Sequence, residues 1–231
     1  CAEVECDIRF HGLNCSRCQS IRTRRHTSVK DCLAQLLCRL FGNASVSTEW
    51  VQRVGATDIV ADIRLQTGAG FMLLDVTVVN PACGKSLQRH SDVDVRATAS
   101  AAEADKRAKY QPLLDHLQLG PSAFVPFAIE ATGRLGKSAA DFISSLTGLP
   151  GLRTEVKQPG RVIDYYIRRL RSYIFVGNAQ CLLAAGTDSI TDVGAGITDL
   201  PAEFVDPPEL PTESSGSRHA AREYPEMNAH D

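Results

Sequence analysis

The chain has 231 residues, of which 43% are hydrophobic and 23% charged, and its formal net charge is −2. This length can bury one substantial core with a small appendage. No apolar run approaches the roughly 20 residues of a transmembrane helix, so we expect no membrane partner. Because the sequence begins with Cys1 rather than Met and shows no leader pattern, we expect it to be the C-terminal part of a longer polypeptide.

The first predicted element is a metal site in "CAEVECDIRFHGLNCSRC", which contains four cysteines and one histidine. Thiolates and imidazole are the ligands of tetrahedral structural zinc. We therefore predict a Zn²⁺ site at Cys1, Cys6, His11 and Cys15, with Cys18 as an alternative ligand. Such clustering favours a metal and a reducing compartment over disulfide bonds. Free thiols in a frayed terminus are the alternative interpretation.

Positive charge is concentrated in the next segment, "RTRRHTSVK". Lys and Arg neutralise the phosphates of nucleic acids, which gives binding that does not depend on base sequence. We predict phosphate contacts from this segment through Arg22, Arg24, Arg25, His26 and Lys30. A solvated basic loop would have the same composition.

Hydrophobic periodicity then predicts alternating helices and strands. Residues 26–42, "HTSVKDCLAQLLCRLFG", have the pattern of an amphipathic helix that stops at Gly42. "DIVADIRLQ" and "FMLLDVTVV" predict two antiparallel strands joined by the tight turn "TGAG". A helix at 94–117, a strand at 123–132, a helix at 136–146 and a long helix at 161–185 complete a mixed α/β sandwich.

The last predicted segment, residues 187–231, differs in composition from the rest of the chain. It holds ten acidic residues against two arginines and is rich in Pro and Ser. A segment of this kind cannot bury enough apolar surface to fold, so we predict a disordered acidic tail. The body that precedes it is correspondingly basic, which weakly indicates a polyanionic partner.

Two aspartates interrupt the predicted hairpin. If the turn is centred on Gly68 and Ala69, Asp62 lies opposite Asp75, and alternation places both carboxylates on the same side. Opposed like charges destabilise a sheet unless they are neutralised, and a shared divalent cation would neutralise them. Without metal, Asp75→Asn should then relieve the repulsion. A protonated carboxyl and an ion pair of one aspartate with Arg64 are the alternative interpretations, and a slipped register would undo the pairing.

The predicted helix after the hairpin carries "AEADKRAKY", which places Lys106 near Glu103 and Tyr110 on one face. A lysine beside a metal-bound water can steer a nucleophile or stabilise a phosphate in its transition state. Lys109 and Glu103 are further candidates for a catalytic role. An ordinary solvated helix face would show the same spacing.

The succession Asp62, Asp75 and "AEADKRAKY" resembles the restriction-endonuclease-like nuclease domain, the PD-(D/E)xK class, at the C-terminus of non-LTR retrotransposon reverse-transcriptase polyproteins. "HGLNC", "RRH", "FVPFAIEATGRLG" and "RRLRSYIFVGNAQCLL" extend the resemblance over about residues 1–186. Ala61 stands where the family has Pro, and Thr77 stands where the simplest version has its lysine. Glu49 falls where such domains often carry an extra acid, and it also fits an ordinary surface residue.

The resemblance implies a function. It implies a restriction-endonuclease-like mixed sheet flanked by helices at residues 27–186, with a zinc-binding segment at 1–26. Asp62 and Asp75 would hold Mg²⁺ or Mn²⁺, and Lys106 or Lys109 would support an attacking water. The family's zinc pattern is Cys, Cys, His, Cys, in which His11 and Cys15 match clearly and Cys1 has the spacing of the second Cys.

We therefore expect a metal-dependent DNA endonuclease that nicks target DNA for target-primed reverse transcription in the nucleus. Its partners would be DNA and, through domains upstream of this sequence, the element RNA. The alternative is a zinc-bearing nucleic-acid-binding module with a vestigial nuclease site.

Overall fold

The computed structural model describes residues 13, 18–88, 94 and 96–186, with only the backbone described at Gly84 and Lys85. The predicted zinc ligands Cys1, Cys6, His11 and Cys15 and the predicted tail at 187–231 lie outside the described residues. No helix in the described part of the chain is long and apolar enough to cross a membrane.

The described residues form a mixed α/β structure with one four-stranded sheet. The helices are α1 (Gln19–Phe41), α2 (Gly84–Leu87), α3 (Ala97–His116), α4 (Lys137–Ser145) and α5 (Pro159–Gly186). The strands are β1 (Val46–Val54), β2 (Thr57–Thr67), β3 (Gly70–Val79) and β4 (Phe124–Glu130). They lie side by side in chain order, with β1, β2 and β3 antiparallel and β4 parallel to β3. The connection from β3 to β4 runs through α3, as a parallel pair requires.

The hairpin register matches the prediction. Arg64 pairs with Leu73 and Gln66 with Phe71, as a turn centred on Gly68 and Ala69 requires. The paired register ends at Ile63 and Leu74. Asp75, the next residue of β3, is paired on its other side with Pro126 of β4.

Helical layers cover both faces of the sheet. The larger core joins α1 and α5 to one face through Leu37, Ile63, Leu74, Phe127 and Ile174, all essentially inaccessible to solvent. The smaller core packs α3 on the other face through Leu73, Tyr110, Leu113 and Phe124. The apolar residues of α1, α3 and β3 thus fix which side of each element faces the sheet.

The structure corrects three expectations from the sequence. First, α1 begins at Gln19 and not at residue 26, so the basic segment is part of the helix. Second, β1 forms a strand that was not predicted. Third, strict alternation fails in β2: Ala61 packs in the core beside α3, whereas Ile63 packs in the core beside α1. This change of face occurs at Asp62, where the facing strand has Glu49 at a φ of 52°.

Candidate active site

Asp75 is more buried than Asp62, the other acid of the predicted pair, and has 4% of its surface exposed. Its neighbours in β3 are Leu74 and Val76, which enter the core on the α1 side, so Asp75 points towards α3. The Tyr110 hydroxyl donates a hydrogen bond to Asp75 Oδ1 at 2.5 Å. The Lys106 ammonium forms an ion pair with Asp75 Oδ2. The buried carboxylate is therefore balanced by one cation and one hydroxyl, both from α3.

Lys106 and Tyr110 lie one helical turn apart on α3, which explains why both side chains reach the same carboxylate. The Tyr110 hydroxyl also contacts the Val60 carbonyl oxygen, so the tyrosine joins α3 to both β2 and β3. Burial, together with the hydrogen bond to Asp75, raises the pKa of Tyr110. Tyr110 thus stays protonated and acts as a hydrogen-bond donor.

Asp62 has partners in the opposite layer. Its Oδ2 atom accepts a hydrogen bond from the backbone N–H of Val76 at 2.7 Å, and His26 Nε2 of α1 lies 3.4 Å from the same oxygen. His26 Nε2 is also 3.0 Å from the Val76 carbonyl oxygen, to which it donates. The carboxylate of Asp62 therefore lies against the peptide unit that follows Asp75, although the ladder pairing has ended there.

These contacts shift the titration of both groups. The hydrogen bond to Asp62 raises the pKa of His26 in spite of partial burial. Burial by itself would raise the pKa of Asp62, but the interactions with His26 and the N–H of Val76 outweigh it and hold that pKa below its usual range. His26 and Asp62 are thus arranged to carry opposite charges.

We call Asp62, Asp75, His26, Lys106 and Tyr110 the carboxylate cluster. Lys106 lowers the pKa of Asp62 and Asp75 raises that of His26, so the two acids belong to one electrostatic unit. Alternation predicted that both carboxylates project to one side, but their partners come from opposite helical layers. The predicted alternative of an ion pair with Arg64 is not formed, because that guanidinium lies over the rings of Trp50 and Phe71.

The remaining predicted catalytic residues lie elsewhere on α3. Lys109 is exposed and its ammonium lies 5.1 Å from the centre of the Tyr110 ring. Glu103 is buried and accepts hydrogen bonds from the Ser138 backbone N–H at 2.9 Å and from the Ser138 hydroxyl at 2.8 Å. It thereby caps the start of α4. Of the three candidates on α3, Lys106 is the one that contacts an acid of the predicted pair.

The predicted phosphate-binding residues divide into exposed and buried groups. Arg24 is exposed, and Arg22 and His26 are partly buried. Arg25 has 6% of its surface exposed and donates a hydrogen bond to Asn178 of α5. Lys30 is buried and forms an ion pair with Glu49 of β1. In this arrangement Arg25 and Lys30 connect secondary-structure elements, and Arg24 is the predicted contact most open to solvent.

Metal binding has its clearest candidate in the two aspartates. Among the described residues, no group of three or more His, Cys, Asp or Glu side chains is placed to hold a metal ion. Cys18, the alternative zinc ligand, is buried with its Sγ 3.4 Å from the Cys181 carbonyl oxygen. Asp62 makes its observed contacts through Oδ2, and Asp75 Oδ2 contacts the Lys106 ammonium. Carboxylate oxygens are the ligands that Mg²⁺ prefers, so the donor chemistry of Asp62 and Asp75 fits that ion.

Sequence reasoning missed two of the contacts that build this cluster. The pairing of His26 with Asp62 joins residues far apart in the chain, and nothing in either local pattern indicates it. The hydrogen bond from Tyr110 to Asp75 could have been predicted, because the helical spacing places Tyr110 beside Lys106.

Comparison of the chain with protein-family models and with curated proteins finds no match.

Proposed function

We propose that this chain is a metal-dependent DNA endonuclease domain with a restriction-endonuclease-like fold. The observation that carries the proposal is the ion pair between Lys106 and Asp75. The backbone N–H of the next residue, Val76, binds the other acid, Asp62. Two carboxylates and a lysine are the groups that a metal-assisted nuclease needs. The mixed four-stranded sheet with helices on both faces supports the same proposal.

Mg²⁺ or Mn²⁺ bound by Asp62 and Asp75 would supply charge stabilisation at a phosphate and lower the pKa of a bound water. The side chains around the acids have separate tasks. His26 and the N–H of Val76 orient Asp62, and the Tyr110 hydroxyl orients Asp75. Lys106, with 26% of its side chain exposed, is close enough to solvent to approach a phosphate oxygen.

DNA is the substrate that the surrounding charges favour. Arg24, Arg96, Arg107, Lys109 and Lys137 are exposed cations of α1, α3 and α4. Cations of this kind bind phosphates without reading sequence, so they would position a duplex rather than choose its site. As part of a retrotransposon polyprotein, the domain would nick nuclear target DNA to prime reverse transcription, and Zn²⁺ would order its N-terminal segment.

The test is nicking of supercoiled plasmid DNA in Mg²⁺ by the full chain. Asp62→Asn, Asp75→Asn and Lys106→Met should each lower the rate about a hundredfold or more, since the aspartates would hold the metal ion and Lys106 would supply positive charge at the phosphate. Asp58→Asn and Lys157→Met are matched controls, because both side chains are exposed and outside the carboxylate cluster. Wild-type rates in either aspartate variant would refute the assignment.

A second candidate function is a zinc-bearing nucleic-acid-binding module with a vestigial nuclease site. The observation that favours it is the internal balance of charge, since Lys106 pairs with Asp75 and His26 with Asp62. In that case wild-type protein would bind DNA but leave the plasmid supercoiled in both Mg²⁺ and Mn²⁺. The same plasmid assay therefore separates the two functions.

A further inference from the structure

A cleft of about 330 Å³ opens between the start of α3, the end of β4 and the start of α4. Ala99, Leu135 and Ala140 form apolar walls, and Arg96 and Lys137 lie at its exposed edge. Ligand sites of proteins begin at about this size, with apolar walls and a few polar groups that fix orientation. The cleft therefore has the dimensions and lining of a small-ligand site.

Glu130 lines this cleft and is nearly inaccessible, with 1% of its surface exposed. Its Oε2 atom accepts a hydrogen bond from the Thr132 hydroxyl at 3.1 Å and lies 3.9 Å from Arg134 Nε. Its Oε1 atom is buried and receives no hydrogen bond from any residue that the structure describes. A buried acceptor without a donor is costly, so a ligand that supplies an N–H group would be stabilised there.

The cleft lies on the same side of the sheet as Asp75 and its α3 partners. Asp75 pairs with Pro126 and Val79 pairs with Glu130, so the two acids are four residues apart along parallel strands. At a rise of about 3.3 Å per residue, this separation is about 13 Å. A DNA strand bound at Lys106 would pass near the mouth of the cleft.

We propose that the cleft receives one unpaired nucleotide of a DNA strand. An amino group of the base would donate to Glu130 Oε1, and the adjoining phosphate would lie near Arg96 and Lys137. Carboxylates accept hydrogen bonds from the exocyclic amino group of cytosine, and an unpaired base can turn out of the stack into a pocket. The choice of DNA as the ligand rests on the proposed function.

The charges at the edge of the cleft disfavour a basic peptide as the occupant. Arg96 and Lys137 are both exposed, and they would repel a second cation and attract a phosphate. Lys137 also contacts Asp141 at 2.5 Å, but that pair is exposed and therefore weak. An anionic ligand that carries its own N–H donors would pair with the cations at the edge of the cleft and donate a hydrogen bond to Glu130 Oε1.

The experiment measures binding of the full chain to a short single-stranded oligo(dT) by fluorescence anisotropy, without added divalent metal. One probe carries a single central deoxycytidine, and the other has an abasic site at that position. Wild-type protein should bind the deoxycytidine probe about fivefold or more tightly, the discrimination expected of a base contact. Glu130→Met removes the acceptor and should abolish the preference.

A second pair of variants keeps the test decisive if Glu130→Met does not fold. Ser100→Phe places a large ring at the exposed edge of the cleft, whereas Ala104→Phe places it one turn later on α3, outside the lining. Loss of the preference in Ser100→Phe alone supports the proposal. Equal binding of both probes by wild type, or a preference that survives Ser100→Phe, overturns it.

Two further readouts separate this proposal from others. Competition by free deoxycytidine monophosphate as strong as that by the oligonucleotide would overturn a strand-binding role in favour of a mononucleotide site. Plasmid nicking tests the proposed function independently, because the preference is measured without metal. Nicking without a base preference overturns this inference alone, and a preference without nicking overturns the endonuclease alone.

Discussion

The contact between Lys106 and Asp75 leads to a prediction about stability. Because the pair is formed inside the protein, replacing Asp75 should destabilise the fold. The sequence alone had favoured repulsion between Asp62 and Asp75, which would make Asp75→Asn neutral or stabilising in the absence of metal. The two interpretations therefore predict opposite signs for the same substitution.

The magnitude follows from burial and charge. Two unit charges at 4 Å interact by about 4 kcal/mol at an effective dielectric constant near 20. This is an upper value here, because 26% of the Lys106 side chain is exposed and can turn to water when its partner is lost. A hydrogen bond to a charged group contributes about 1.5–3 kcal/mol. We expect Asp75→Asn to lower the free energy of unfolding by about 2 kcal/mol, or the melting temperature by about 4–8 °C.

A double-mutant cycle in urea checks this, with wild type, Asp75→Asn, Lys106→Met and the double variant measured without metal. The loss in the double variant should be smaller than the sum of the single losses by about 1–2 kcal/mol. Asp58→Asn combined with Lys106→Met is the matched control and should be additive, since Asp58 is exposed on β2. Additivity within about 0.5 kcal/mol for Asp75 and Lys106, or a higher melting temperature for Asp75→Asn, would refute the pairing.

Two more predictions concern α1 and its contacts. In Gly177→Ala the new Cβ would meet Arg25 Cγ at 2.6 Å, so we expect the free energy of unfolding in urea to fall by about 1–3 kcal/mol. Gly160→Ala is the control, because its new Cβ meets open space and the substitution should be neutral or stabilising. Equal effects of the two substitutions would contradict the packing of Arg25 against α5. His26 has a raised pKa, so its contribution is complete below its unfolded value of 6.5 and is lost as the pH rises through the folded value. Asp62 has a lowered pKa, so its contribution is present above 3.8 and is lost at lower pH. The stability advantage of wild type over His26→Gln should thus be greatest between about pH 4 and 6.5, and an advantage that grows towards pH 8 would contradict it.

Local patterns determined much of the secondary structure. The hairpin of β2 and β3 was predicted with its register because Gly68 and Ala69 mark a tight turn between two runs of strand-forming residues. The helices α3, α4 and α5 and the strand β4 lie within a few residues of their predicted bounds. These are signals that neighbouring residues carry by themselves.

Tertiary structure alone decided β1 and the contacts of the cluster. β1 is an edge strand whose residues are mostly exposed or partly buried, so its sequence lacks the apolar alternation that identifies a strand. Arg25 looked like a surface cation because its neighbours are charged, yet α5 covers it. Asp62 and Asp75 could be found as candidates because acids are rare inside apolar strands. Their partners His26 and Lys106 lie on opposite helical layers, and a local pattern cannot show which layer supplies the counter-charge, because that depends on how distant segments pack.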